Sequence, residues 1–344
     1  MDTLYSMTNL VAPLFVAEVS ANHNGDKSRA LAIIDAAAQA GANAVKFQTY
    51  KPETMTLNLD KFAVSSDHEL WGKRKLFDLY AEAQTPWDWH EELFSAALNR
   101  GLIPFSSPFD LSAVDFLESL SCPIYKIASL ESSDHRLIRA VAETGKPIIA
   151  STGATLLEEV EALVELVFET GNRDLTLLVC TSSYPAEPAD ANLKRITMLR
   201  EKFGVDVGVS DHTLGIGVAL GALALGATVV EKHLTLSRED KGADSAFSLE
   251  PHEFAMLVQE GRSVVASLGT PEWKITSSET ESRRLRRSLY IVENVRAGDL
   301  VTHENLRAIR PGEGLSPKHL EELIGKKFKY DFELGSPMSW EAVE

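Results

Sequence analysis

The chain has 344 residues, 44% hydrophobic and 24% charged, a globular composition that excludes disordered and low-complexity readings. Lys and Arg number 34 against 50 Asp and Glu, so the formal charge is −16. A field of that sign repels nucleic acid and anionic membranes, and any anionic ligand must meet locally placed cations.

In chain order, the first segment, Met1 to Tyr5, has no basic stretch followed by a long apolar one, so no secretory leader is expected. Eight short apolar, β-branched runs follow at Leu14–Val19, Ala44–Thr49, Ile103–Ser106, Ile124–Ala128, Pro147–Ser151, Leu175–Cys180, Val205–Val209 and Thr228–Lys232. They lack strict alternation, as strands buried on both faces do. Helical patterns separate them. Leu31, Ile34 and Ala38 define one apolar face, Thr85-Pro86 reads as a cap with proline in the first turn, and Gly101 as that helix's end. Thr155 and Glu158 read as a capping box for a helix closed by Gly171. The stretch Leu214–Val230 is studded with glycine and reads as helix then strand, not as a membrane span. Eight strand–helix units predict an α/β fold, a (β/α)8 TIM barrel over residues 1–282. A doubly wound sheet is the alternative, but no G-x-G-x-x-G follows the first strand.

A basic linker, 283–287, leads to a small domain over 288–344. It carries a repeated pattern, Gly298–Leu306 and Gly335–Val343, which points to internal pseudo-symmetry. Cys122 and Cys180 lie in apolar runs with no C-x-x-C spacing, which suits a reducing, cytoplasmic compartment.

In a barrel the C-terminal strand ends carry the chemistry. Here they hold Glu18, then Lys46 and Gln48, then Ser107, then Lys126 with Ser129 and Glu131, then Ser151, then Ser182 and Tyr184, then Ser210 with His212, and finally Glu231 with His233. Alternation places Lys46 with Gln48, and Glu231 with His233, on the lumen face. Buried lysines need partners, so Lys46 and Lys126 either pair with lumen carboxylates such as Glu18 or Glu131, or bind a phosphorylated or carboxylated ligand together with the rim serines. His212 and His233 end adjacent strands about 5 Å apart and are within reach of one divalent cation.

The strings E-V-S-A-N-H-N-G (18–25), V-K-F-Q-T (45–49), Y-K-I-A-S (125–129), G-V-S-D-H-T (208–213) and V-E-K-H-L-T (230–235) resemble the sialic acid (nonulosonic acid) synthase family. The tail, with Arg310-Pro311-Gly312-Glu313-Gly314, is similar to that family's antifreeze-like (SAF) domain. Asp244-Ser245-Ala246-Phe247-Ser248-Leu249, Leu79-Tyr80 and Thr85-Pro86-Trp87 resemble its pseudaminic acid branch, while Ser182 stands where neuraminate enzymes carry Asn.

The resemblance implies condensation of phosphoenolpyruvate with 2,4-diacetamido-2,4,6-trideoxy-L-altrose and water, with C–O cleavage releasing phosphate. It implies that Lys46, Ser107, Lys126, Ser129, Ser151, Ser182 and Ser210 hold phosphoenolpyruvate, and that Glu18, Lys46 and Lys126 act in catalysis. Gln48, Glu131, Tyr184, Glu231, Asp244 and Arg310 would contact the sugar. His212 and His233 would bind Mn2+, or else Mg2+ or Co2+. Arg310 would come from the other subunit of a domain-swapped homodimer. A neuraminate or legionaminate synthase, or a non-catalytic carbohydrate-binding protein, are the alternatives.

Overall fold

The computed structural model describes residues 12–65, 72–240 and 242–344; Met1 to Tyr5, read above for a leader, lie outside them. Parallel strands β1 (Leu14–Glu18), β2 (Ala44–Thr49), β3 (Ile103–Pro108), β4 (Tyr125–Ile127), β5 (Ile148–Ser151), β6 (Leu175–Cys180), β7 (Asp206–Ser210) and β8 (Val229–His233) pair in sequence order. β8 returns to β1, with Leu14 beside Val229 and Glu18 beside His233, so the sheet closes into the expected barrel. All residues of β1, β4, β5, β6 and β8 are buried, which is why those segments read as apolar runs.

Register alone brings the polar residues together. Glu18 pairs with Lys46, Gln48 with Ser107, Cys180 with Ser210, and Ser210 with Glu231.

Three local expectations are corrected. The first long helix, Lys27–Gln39, buries Ala30, Ile33, Ile34 and Ala37, so its core face is turned from the Leu31–Ile34–Ala38 stripe, though Leu31 and Ala38 still pack at its edge. Pro86 leads into a 3-10 turn, Trp87–Trp89, and the α-helix starts only at His90; the Trp87 indole donates to the Tyr50 carbonyl and fixes that entry. The helix Leu157–Glu169 is capped through the Leu156 backbone, whose N–H donates to Glu159 Oε2 at 2.7 Å. Thr155 instead donates to the Thr152 carbonyl, so the box lies one residue later than the sequence pattern placed it.

The chain divides into two compact units, Met1–Gly269 and Thr270–Glu344. Within the second, Arg283 and Arg284 end a short helix, Thr280–Arg284, and strands β9 (Ser288–Ile291) and β10 (Leu306–Ile309) pair antiparallel. Its own core includes Leu289, Ile291, Val301, Leu306, Leu323 and Phe328. The two copies of the repeat open alike, with Gly298 and Gly335 at φ +92° and +93°, a conformation glycine adopts without penalty. No helix among the described residues is long and apolar enough to cross a membrane.

Candidate active site

The C-terminal strand ends build a buried polar centre. Lys46 Nζ lies 2.7 Å from Glu18 Oε2 and 3.8 Å from Glu231 Oε1, and Lys126 Nζ lies 3.7 Å from the same Glu231 oxygen. Ser210 donates to Glu231 Oε1 at 3.0 Å, and Gln48 donates to Glu18 Oε1 at 3.0 Å and to Ser20 at 2.9 Å. The ion-pair reading of Lys46 is therefore realised with Glu18, not with Glu131. Two lysines and two glutamates sum to zero formal charge, so the centre is compensated and is not the net cationic pocket that the −16 chain led us to expect.

Electrostatics follow from burial. Burial raises the Glu18 pKa, opposed by Lys46 and reinforced by Glu231. Burial disfavours the Lys46 ammonium, but the carboxylates of Glu18 and Glu231 outweigh it and lift its pKa. For Lys126 burial wins and lowers the pKa, with Glu231 opposing and Lys46 adding to the shift. Burial alone would raise Glu231; Lys126, Lys46 and the Ser210 hydrogen bond hold it below the ordinary carboxylate value.

Around this centre several buried groups lack hydrogen-bond partners: the hydroxyls of Ser107, Ser151 and Ser182, Oε2 of Glu231 and Nδ1 of His233. Such groups are costly to bury and are the signature of a site completed by ligand or solvent. Ser129 differs from them in having a partner, since it accepts from the Gly153 N–H at 3.0 Å. A Cβ on Gly153 would stand 2.3 Å from Ser182 Oγ and 2.8 Å from Ser129 Oγ, so glycine is required for these hydroxyls to converge.

The histidines end β8 and the loop after β7, with ring centroids 5.3 Å apart. His212 Nδ1 is 3.0 Å from the Thr181 carbonyl, to which it donates, leaving Nε2 with its lone pair. Burial opposes protonation of His212, while Cys180 and Thr181 outweigh it and raise its pKa; a cation at the ring would reverse that balance. Burial, then His212, drives the His233 pKa well below its ordinary value, so this ring is neutral. Its unpartnered Nδ1 stands 3.8 Å from Asp244 Oδ2. Two imidazoles with available lone pairs fit a divalent ion whose other positions are filled by water or substrate oxygen. Among the described residues no cluster of three or more His, Cys, Asp or Glu side chains is arranged to hold a metal.

Beside the histidines opens a cavity of about 290 Å3, lined by Gln48, Ser129, Glu131, Tyr184, His233 and Asp244 of the expected set, and also by Ser20, Tyr50 and Tyr80. Burial raises the Glu131 pKa to about 7, with Lys126 opposing. Burial likewise raises that of Asp244, against hydrogen bonds from Ser20 and the Ala21 N–H. Tyr184 packs on His212 and Phe247, at centroid distances of 4.4 and 5.1 Å. Arg310 belongs to the second unit, where it follows β10.

Sequence reasoning missed Ser20 and Tyr50. Each lies two residues beyond a lumen residue, Glu18 and Gln48, so period-two alternation carried a signal for both. Ser20 holds φ of +44°, uncommon for a non-glycine residue, with its hydroxyl bonded to Asp244. Asn22, in the N-H-N-G string, is structural. It donates to the Leu234 carbonyl at 3.0 Å and to Ser248 at 2.9 Å, pinning the segment that carries Asp244.

The NeuB family model matches residues 33–273, and the SAF domain model matches residues 286–344. A pseudaminic acid synthase of Campylobacter jejuni is 42% identical over 323 residues, covering 94% of each chain. Another, of Helicobacter pylori, is 41% identical over 336 residues, 97% of this chain and 99% of that one. The crystal structure of an N-acetylneuraminic acid synthetase from Leptospira borgpetersenii superposes with a TM-score of 0.71 at 33% identity, covering 79% of this chain and 90% of that chain.

Proposed function

The chain belongs to the NeuB family, and from that premise we propose that it acts as a pseudaminic acid synthase. It joins phosphoenolpyruvate to 2,4-diacetamido-2,4,6-trideoxy-L-altrose with water, releasing phosphate. The sugar assignment is supported by 41–42% identity, over almost the full length, to relatives bearing that name. The observation that carries the phosphoenolpyruvate site is the set of unpartnered buried hydroxyls, Ser107, Ser151 and Ser182, around Lys46 and Lys126.

In this reading the two ammonium groups and the serine hydroxyls take the phosphate and carboxylate oxygens, which displaces the long Glu231 contacts of 3.7 and 3.8 Å. Gln48, Glu131, Tyr184 and Asp244 line the cavity where the open-chain sugar is held. C3 of phosphoenolpyruvate attacks the aldehyde carbon with the electron pair of its C2=C3 double bond, leaving C2 cationic. The carbonyl oxygen takes up one proton to become a hydroxyl, balanced by the hydroxyl proton that the C2 adduct releases on collapse. Water adds to the cationic C2, and Glu18, its basicity raised by burial, takes the proton. The adduct collapses to the ketone as the C–O bond to phosphate breaks. His212 and His233 would hold Mn2+, or Mg2+ or Co2+, which supplies Lewis-acid polarisation of the aldehyde when bound. A cytoplasmic location, and a homodimer in which Arg310 of one chain serves the other's sugar site, belong to the same reading.

Phosphate release from phosphoenolpyruvate plus Mn2+, compared across this sugar, the legionaminate precursor and N-acetylmannosamine, tests the proposal. Fastest release with the altrose derivative is expected. Preference for N-acetylmannosamine would contradict the sugar, and no release with any of the three would contradict the reaction.

A further inference from the structure

The cavity beside the histidines is lined by polar and by apolar side chains. Gln48 and His233 stand at strand ends, with Ser129 in the turn after β4. Farther along the loops the lining is mixed: Tyr80, Glu131, Tyr184 and Asp244 bring polar atoms, while Leu76 and Leu79 from the helix Leu76–Ala83, Phe109 after β3 and Leu130 after β4 form a hydrocarbon patch among them. Tyr50 ties this wall together, with ring centroids 5.9 Å from Tyr80 and 5.2 Å from Phe109, both edge-on.

The patch has a chemical consequence. A ligand whose reacting carbonyl faces His233 turns its remaining carbons toward the loops. Hydroxyls at the patch would be desolvated against leucine and phenylalanine, whereas a methyl group would be welcomed. From this lining we infer that Leu76, Leu79, Phe109 and Leu130 are specificity-determining residues that select a sugar deoxygenated at the carbon farthest from its aldehyde. The inference rests on the condensation reaction proposed above and adds the physical basis of its sugar choice. An apolar pocket rejects an added hydroxyl only moderately, by about 10–100-fold.

The test uses the full chain with phosphoenolpyruvate, Mn2+ and a matched pair of sugars: the 2,4-diacetamido altrose derivative with and without a hydroxyl at C6. The 6-deoxy sugar should show the higher kcat/KM, by about 10–100-fold. Leu76→Asn, at a half-buried position, should shrink that ratio toward one by improving use of the hydroxylated sugar, with the KM for phosphoenolpyruvate unchanged. Leu130→Asn, at a position that is 73% exposed, should do the same to a smaller extent if Leu76→Asn misfolds. Equal use of both sugars by the unmodified protein, or variants that slow both sugars alike, would overturn the wall's role while leaving the condensation standing. No phosphate from either sugar would overturn the condensation and this inference with it.

Discussion

Glu231 and Lys232 are neighbours on β8, but alternation sends them to opposite faces, where two buried charge clusters are built differently. Away from the lumen, Lys232 Nζ meets Asp211 Oδ2 at 3.0 Å and the carbonyls of Thr213 and Gly215 at 2.7 and 2.8 Å. Three ammonium donors have three acceptors, and nothing is left over. In the lumen, Lys126 stands 3.7 Å from Glu231, beyond hydrogen-bond reach, among serine hydroxyls that lack partners. A buried ion that holds structure is completed by the protein. In the proposed phosphoenolpyruvate site Lys126 is left for the ligand to complete, whereas Lys46 already holds Glu18 at 2.7 Å.

The contrast is sharpest where the two clusters touch in sequence, at Asp211 and His212. His212→Ala should keep the fold and lower metal-dependent turnover by well over ~100-fold, seen as loss of the response to added Mn2+. Metal-independent turnover would break the assignment of His212 as a metal ligand. Lys232→Met should act in the opposite sense. It strands the Asp211 carboxylate without its counter-charge, at about 3–5 kcal/mol in denaturant unfolding, while the KM for phosphoenolpyruvate stays unchanged in the molecules that fold. A stable Lys232→Met protein would dissolve the distinction between the clusters.

Lys126→Met removes one or two charge-assisted contacts, worth about 1.5–3 kcal/mol, and should raise the KM for phosphoenolpyruvate about 10–100-fold, with a smaller loss of stability than Lys232→Met because Glu231 keeps Lys46 and the Ser210 hydrogen bond. The cavity beside the centre has its own cost, legible in pH. Glu131 titrates near 7 in the folded protein against 4.5 ordinarily, because burial penalises its charge. The folded state therefore keeps a proton that the unfolded chain has released, and stability falls as pH rises from about 4.5 to about 7. Glu131→Gln should flatten that fall, by on the order of 1–3 kcal/mol in unfolding measured across the window. The smallest effect is expected for Ser151→Ala. Removing an unpartnered buried hydroxyl should leave stability equal or raise it by up to about 1 kcal/mol, while phosphoenolpyruvate binding weakens severalfold. A clear loss of stability would mean that Ser151 belongs with the completed kind.

The eight strands and the lumen positions of Lys46, Glu231 and His233 were legible because parallel strands read as continuous apolar runs and side chains alternate with period two. What alternation does not encode is distance. Nothing in the string tells that Lys46 meets Glu18 at 2.7 Å while Lys126 and Glu231 stay 3.7 Å apart. That difference depends on barrel closure and on register between strands distant in sequence. Of the patch formed by Leu76, Leu79, Phe109 and Leu130, only Leu79 stood out, through the resemblance and not through its chemistry, because an apolar side chain on a short helix or loop reads as core whether it faces protein or substrate. Nor does the string tell that Asn22, in a polar motif after a strand end, serves to pin a loop.

Unfolding with and without phosphoenolpyruvate tests the lumen site most directly. At a ligand concentration 100-fold above its dissociation constant, the unmodified protein should gain about 2.7 kcal/mol, and Lys126→Met at that same concentration should gain far less. Equal stabilisation of the two proteins would contradict a phosphoenolpyruvate site at Lys126.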